Sequence, residues 1–205
     1  MAIITFTGTG GIIEGNLGPA NVNVNLDAAL TLDGSADYLI NSATAGEDFR
    51  GSDTVGAITC WIHTASDYEG GGTIFSASDE ATNDFYLKLY MDSAGRPHFD
   101  YENNNSGDYS LRIPDARGGW HHLAIVSTGT AIIMYLDGVS QTITTSETNN
   151  GNWFGDITGT PLDNVVIGGW LYSGDPIASL FGGKIADVRY YSDAITATEV
   201  ATLAS

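Results

Sequence analysis

The chain has 205 residues with 42% hydrophobic content, enough to bury one substantial core, and all-β folds of this length commonly form a single domain. Its formal net charge is −18, from 7 Lys and Arg against 25 Asp and Glu, which leaves no basic patch to displace counterions from a phosphate backbone and argues against nucleic acid as a partner. A single cysteine, Cys60 in "AITCWIH", rules out an intrachain disulfide, and no stretch reaches the roughly 20 apolar residues of a membrane span, so membrane insertion is not expected.

The elements, taken in chain order, begin with residues 1 to 28, which mix Gly, Asn and Pro with short alternations such as "NVNVNL". They read as an edge strand, an arm or a docking segment ahead of a main domain at 29 to 205. The first eleven residues carry no Lys or Arg and only a short apolar run, unlike a secretory signal. The expectation is a chain made in a cytoplasm that leaves by lysis or assembly. From Ala29, "ALTLDG" and "DYLIN" flank a Gly-Ser-Ala turn and predict a hairpin.

"GAITCWIHT" alternates Ile58, Cys60 and Ile62 against Ala57, Thr59, Trp61 and His63, the two-residue period of a strand. "GGGTIFSAS" is a turn into another strand. "DFYLKLYMD" places Phe85, Leu87 and Leu89 on one face and Tyr86, Lys88 and Tyr90 on the other, so one side is core and the other is wet or aromatic-covered. "SAGRPHFDY", "GDYSLRI", "GWHHLAIVS" and "TAIIMYLDG" follow at roughly ten-residue spacing between Gly, Asn and Asp turn signals. Residues 145 to 163 form a long polar, glycine-rich loop, a type that is usually functional or mobile. "NVVIGGW" resumes the sheet, "GGKIADVRYY" is the last strand, and Thr196 with Glu199 forms a T-x-x-E capping box for one short helix. Regular short strands without helical patterns between them predict an all-β antiparallel sandwich or jelly roll with one short C-terminal helix.

Five blocks carry a family likeness: "LTLDGSADYLIN", "GAITCWIHT", "GWHHLAIVSTGTAIIMYLDGV", "VVIGGW" and "FGGKIADVRYYSDAITATEVATL". Together, from about residue 29 to the end, they resemble the laminin-G-like domains of the concanavalin-A-like lectin and glucanase superfamily. The resemblance implies two antiparallel sheets in a jelly roll, with a concave sheet or a loop rim open to ligands. It also implies a structural calcium that ties the first core strand to the last, carried over onto Asp33, Gly34 and Asp187. For Asp187 the residues leave open a metal ligand, a salt bridge to Arg189 or Lys184, or a solvated face.

Glucanases of this superfamily carry paired acids as E-x-D-x-E on one strand. The acids of "SDEATND" and "DYEGG" lie in turns at the wrong spacing, so glycoside hydrolysis is the least favoured activity and no catalytic residue is assigned. His121 and His122 follow Trp120 in a strand, point to opposite faces and read as structural. Sugar recognition needs aromatic platforms beside amides and carboxylates. "NNGNWFGD" and "GGWLYSGD" have that makeup, and if the two loops meet at one rim then Asn149, Asn150, Trp153, Asp156, Trp170, Tyr172 and Asp175 form a glycan or protein site. The alternative is that Trp153 and Trp170 only cap the ends of the core.

Two functional readings follow. The first is a non-enzymatic jelly-roll module displayed on the surface of a virus particle, such as a bacteriophage, as capsid decoration or fibre. Residues 1 to 28 would dock it to capsid or tail proteins, a homo-oligomer is expected, and the rim would face outward to bind glycans. The alternative is a free or secreted carbohydrate-binding lectin domain acting outside the cell.

Overall fold

The computed structural model describes residues 2–6, 13–17, 29–42, 53–159, 162–173 and 177–205. Strands β1 (Ala2–Phe6) and β2 (Ile13–Leu17) pair antiparallel in a two-stranded sheet of their own. The rest of the predicted N-terminal segment lies outside the described residues.

The main body is a sandwich of two six-stranded antiparallel sheets. Its strands are β3 (Leu30–Asp33), β4 (Leu39–Ser42), β5 (Gly56–Thr64), β6 (Gly72–Ser78), β7 (Phe85–Met91), β8 (Pro97–Asn103), β9 (Tyr109–Arg112), β10 (Gly119–Ser127), β11 (Ile132–Leu136), β12 (Val139–Ser140), β13 (Asn164–Ile167) and β14 (Gly182–Tyr191). One sheet runs β12-β11-β10-β5-β14-β3 and the other β4-β13-β6-β7-β8-β9. The all-β sandwich with a short C-terminal helix is the predicted class.

The period-two faces are those of the sequence. Ile58, Cys60 and Ile62 of β5, Leu87 and Leu89 of β7, Phe99 and Tyr101 of β8, and Leu123 and Ile125 of β10 fill the space between the sheets. Each fully buried aliphatic or aromatic side chain of this kind contributes about 1.5–3 kcal/mol. Cys60 is fully buried there, and burial pushes its thiol up to about 12, so it is an inert core residue.

The predicted hairpin of "ALTLDG" and "DYLIN" does not form. β3 pairs with β14 in one sheet and β4 with β13 in the other. The intervening turn sends its backbone donors to a side chain: Asp33 Oδ1 accepts from the N–H groups of Ser35 (2.8 Å), Ala36 (2.8 Å) and Asp37 (3.3 Å). With those donors taken locally, the chain crosses between the layers instead of folding back on itself.

The closing helix α1 (Ala197–Leu203) is capped as predicted: Thr196 N–H donates to Glu199 Oε2 at 2.7 Å and Glu199 N–H donates to Thr196 Oγ1 at 3.3 Å. Its buried Val200 packs with Ala57, Ala124, Val126 and Tyr135 on the outer side of the β10–β5 sheet. That helix covers part of one outer face. The opposite sheet turns polar and aromatic side chains of β7, β8 and β9 outward.

Candidate functional site

The floor of this second face is built by three neighbouring strands whose core-facing residues are apolar and whose outward residues are not. Cross-strand rows run Tyr86–Glu102, then Lys88–Asp100–Ser110, then Tyr90–His98–Arg112. Rows are about 7 Å apart and strands about 4.8 Å apart, so these groups lie within reach of one small ligand. On one flank, residues 168–173 fold over β6. Ser76 Oγ donates to the Gly169 carbonyl (2.9 Å), Ser78 Oγ donates to the Leu171 carbonyl (2.6 Å), and Trp170 and Ala178 exchange backbone hydrogen bonds. This brings Trp170 against Tyr86, ring centroids 5.0 Å apart. On the other flank β9 is bordered by Thr144, which exchanges both backbone bonds with Arg112, and Glu147 Oε2 accepts from Ser110 N–H at 2.8 Å.

The charges on this floor are mostly tied down. Lys88 Nζ stands 3.8 Å from Asp100 Oδ2, and Ser110 Oγ donates to Asp100 Oδ1 at 2.6 Å. Burial pushes the Lys88 ammonium down and the Asp100 carboxyl up, each against the pull of its partner. His98 lies between Asp92 Oδ2 and Tyr90 Oη, both at 3.1 Å from its ring nitrogens. Burial works to raise the Asp92 carboxyl, but bonds from Arg96 and His98 outweigh it and hold it at about 2. An ionised Asp92 accepts from His98 Nε2–H, so Nδ1 accepts from the Tyr90 hydroxyl in the neutral ring.

Arg112 stands apart. Among the described residues, Arg96, Arg117 and Arg189 each hold an aspartate at 2.6–2.7 Å, whereas the Arg112 guanidinium has no hydrogen bond or ion pair. Its backbone is pinned on both sides while its five donors face outward unused.

At the opposite end of the floor Glu102 is pushed up to about 7, by burial first and then by the charge and hydrogen bond of Asp108 and the charge of Asp84. A carboxyl raised from 4.5 in the unfolded chain keeps its proton longer in the folded state. Stability therefore falls as pH rises through the window from 4.5 to about 7. Glu102→Gln is expected to flatten that fall and raise the melting temperature at pH 8 relative to the unmodified protein. Thermal unfolding at a series of pH values checks it, and parallel curves for the two proteins would refute it.

Among the described residues the predicted rim does not assemble. Trp153 is fully buried, with ring centroids 5.6 Å from Phe99 and 5.3 Å from Phe154, and offers no face to a sugar. Asp156 accepts from Trp153 N–H at 2.8 Å and caps the 3-10 turn Phe154–Asp156. Asn149 Oδ1 and Nδ2 bond both backbone groups of Ile132, and Asn150 Nδ2 donates to the Gly107 carbonyl at 2.9 Å. These polar side chains tie their loop to β11 and to the β8–β9 turn. Trp170 packs elsewhere, against Tyr86 on the outer face of β7, and Tyr172 stacks on Trp170. Asp175 lies outside the described residues.

The residues proposed for calcium do not fit one ion. Asp33 is spent on its own turn, and its backbone donors hold the carboxyl at about 2. Gly34 has φ +73° and approaches Gly182, which pairs with Asp33. Asp187 is five residues farther along β14, about 16 Å at strand rise, at a bulge where it has φ +51°. Both its oxygens take Arg189, Oδ1 from Nε and Oδ2 from the terminal nitrogen, at 2.7 Å each. Asp187 is thus the ion pair that its sequence left open. Among the described residues no group of three His, Cys, Asp or Glu side chains is arranged to hold a metal.

Sequence reading missed the floor itself. "HFDYE" at 98 to 102 alternates His98, Asp100 and Glu102 on one outward face, a visible period-two signal. Compared with an E-x-D-x-E run, its first acid is a histidine locked by Asp92 and Tyr90, and its Asp is bound to Lys88 and Ser110.

The chain also matches known proteins. A laminin-G family model described as the concanavalin A-like lectin/glucanases superfamily matches residues 33–201. The chain belongs to this superfamily. Among solved structures, this concanavalin A-like domain is similar to the CBM40 of the Ruminococcus gnavus IT-sialidase bound to alpha2,3 sialyllactose. The TM-score is 0.65 at 20% identity, over 86% of this chain and 96% of that one. It is similar as well to one part of the NanB sialidase from Streptococcus pneumoniae, TM-score 0.64 at 16% identity, over 85% of this chain but 27% of that one. A heptameric SAP-like pentraxin from Limulus polyphemus gives 0.53 at 20% identity, covering 82% of each chain. At such identities the likeness is one of fold. No curated protein matches the chain in sequence.

Proposed function

We propose that the protein is a non-enzymatic carbohydrate-binding module that holds glycans on the outer face of β7, β8 and β9, with Arg112 taking the carboxylate of an acidic sugar. The observation that carries this reading is the unpaired guanidinium. In a chain of charge −18, carboxylates outnumber cations more than threefold, yet among the described residues Arg112 holds none, and it shares the outer side of its sheet with aromatic rings and polar groups. A planar fork of donors suits a carboxylate bidentately. Support comes from the CBM40 fold neighbour, whose bound ligand, sialyllactose, carries a carboxylate.

Saturation-transfer NMR and calorimetry with α2,3-sialyllactose and with lactose test the proposal. Saturable binding of sialyllactose, clear preference over lactose and no released product are expected. Binding of neither sugar at millimolar concentration would overturn it. A second reading, display on a virion surface through residues 1 to 28, draws on the β1–β2 pair, which forms a sheet separate from the sandwich. Electron microscopy of particles from the source, looking for symmetric copies, tests that placement. The free or secreted module has the stronger support, because its fold neighbours include glycan-binding modules.

A further inference from the structure

The outer face also carries a stack of groups that divides ligand contact from support, an inference that rests on the glycan reading of that face. Trp170 is occupied on both sides. Its ring stacks on Tyr172 with centroids 4.0 Å apart and planes 24° apart. The Lys88 ammonium stands 4.0 Å from the same Trp170 centroid. A ring packed that closely leaves no room for an ammonium on its own side, so Tyr172 and Lys88 take opposite faces. Tyr86 meets the indole edge-on at 61°. A pyranose needs a free ring face for its apolar CH surface, and Trp170 has none to give. Among the described residues Tyr172 has no ring contact beyond Trp170, so it ends the stack.

Lys88 is built into the base. Its side chain is 12% exposed, and its ammonium lies 4.6 Å from the Tyr90 centroid and 5.1 Å from that of Tyr86 as well as 3.8 Å from Asp100. A desolvated cation over an indole face is the strong form of the cation–π contact. The bonds from Ser76 and Ser78 reach only the backbone carbonyls of Gly169 and Leu171. They set the path of the chain and leave the tilt of the indole to its ring contacts. With its charge taken up by three rings and one carboxylate, Lys88 has none to offer an anionic ligand, which leaves that role to Arg112.

We infer that Tyr172 is the platform on which a bound pyranose stacks, and that Lys88 is a positioning residue that fixes Trp170 and, through it, Tyr172. The face then has two contacts of different chemistry, a ring for the apolar side of a sugar and a guanidinium for an acidic group.

The test uses the full chain with α2,3-sialyllactose and lactose as probes, comparing the unmodified protein with Tyr172→Ala, Lys88→Met and Lys88→Arg. Nitrogen-15 spectra report the Trp170 indole N–H, assigned by its loss in Trp170→Phe. Tyr172→Ala is expected to weaken sialyllactose about tenfold and to remove saturation transfer to the sugar ring protons. Lys88→Met is expected to weaken it roughly threefold to tenfold and to move the Trp170 resonance, and Lys88→Arg, which keeps a cation over the ring, is expected to restore both. Unmodified affinity in a folded Tyr172→Ala protein would overturn the platform assignment while leaving the glycan reading intact. An unmoved Trp170 resonance with unchanged affinity in Lys88→Met would overturn the positioning role. If the unmodified protein binds neither sugar, the glycan reading and the platform fall together, and the Trp170 resonance in the two Lys88 variants still decides whether Lys88 sets the stack.

Discussion

Arg112→Ala is expected to weaken α2,3-sialyllactose about 100-fold, corresponding to about 3 kcal/mol, while the melting temperature stays close to that of the unmodified protein. The size follows from the chemistry of a carboxylate that has left water for a protein face: without its guanidinium it keeps the cost of desolvation and loses both charge-assisted hydrogen bonds. The neutral effect on stability follows from the fold. Among the described residues the guanidinium has no partner to abandon, and the strand position is held by backbone bonds to β8 and to Thr144 that any non-proline residue can make. Arg112→Lys should recover part of the affinity, because an ammonium keeps the charge but not the two-pronged geometry. Lactose binding should be nearly unaffected by either substitution. Calorimetry with the two sugars checks all of this. Equal losses for sialyllactose and lactose would assign Arg112 a role other than carboxylate recognition.

Trp153→Ala is expected to destabilise the fold by about 3–5 kcal/mol, a drop of roughly 6–20 °C in melting temperature for a domain of this size. The indole is fully buried between Phe99 and Phe154, and its fit is tight enough that a Cβ added at Gly56 would lie 2.5 Å from Nε1. Removing it leaves a large hole at one end of the sandwich, where the surrounding strands and the Asp156-capped turn cannot collapse without breaking their own bonds. Thermal denaturation measures the effect. A variant that melts with the unmodified protein but loses sugar binding would show Trp153 to be a ligand platform after all.

Much of the architecture was legible because burial imposes a two-residue period. The alternations in "GAITCWIHT" and "DFYLKLYMD" report which side chains face the core, whatever partner strand lies beside them. The capping box of Thr196 and Glu199 was equally readable, since its bonds close within one helical turn. The hairpin at Asp33 was misread because strand pairing is not local: a turn sequence shows that the chain changes direction but not which sheet receives the next strand.

The site was legible only in composition. "NNGNWFGD" and "GGWLYSGD" look alike as strings, yet one tryptophan is core and the other flanks an open face. The amides of Asn149 and Asn150 resemble sugar ligands in sequence, and in the fold they satisfy backbone groups of other segments. Arg112 drew no notice because nothing in "YSLR" announces it. Its significance is that no carboxylate among the described residues reaches it, a property of every neighbour at once.

The sequence by itself determined the class, one antiparallel sandwich closed by a capped helix, because that rests on local periodicity and short-range bonds, while the likeness to laminin-G-like domains rested on five blocks of residues in series. Only the tertiary structure decided which of two similar loops flanks the outer face of β7, that Asp187 serves Arg189, and that Lys88, Trp170 and Tyr172 form one stack. Those outcomes depend on residues tens of positions apart meeting across sheets, where burial and charge are set by whichever neighbours the topology supplies.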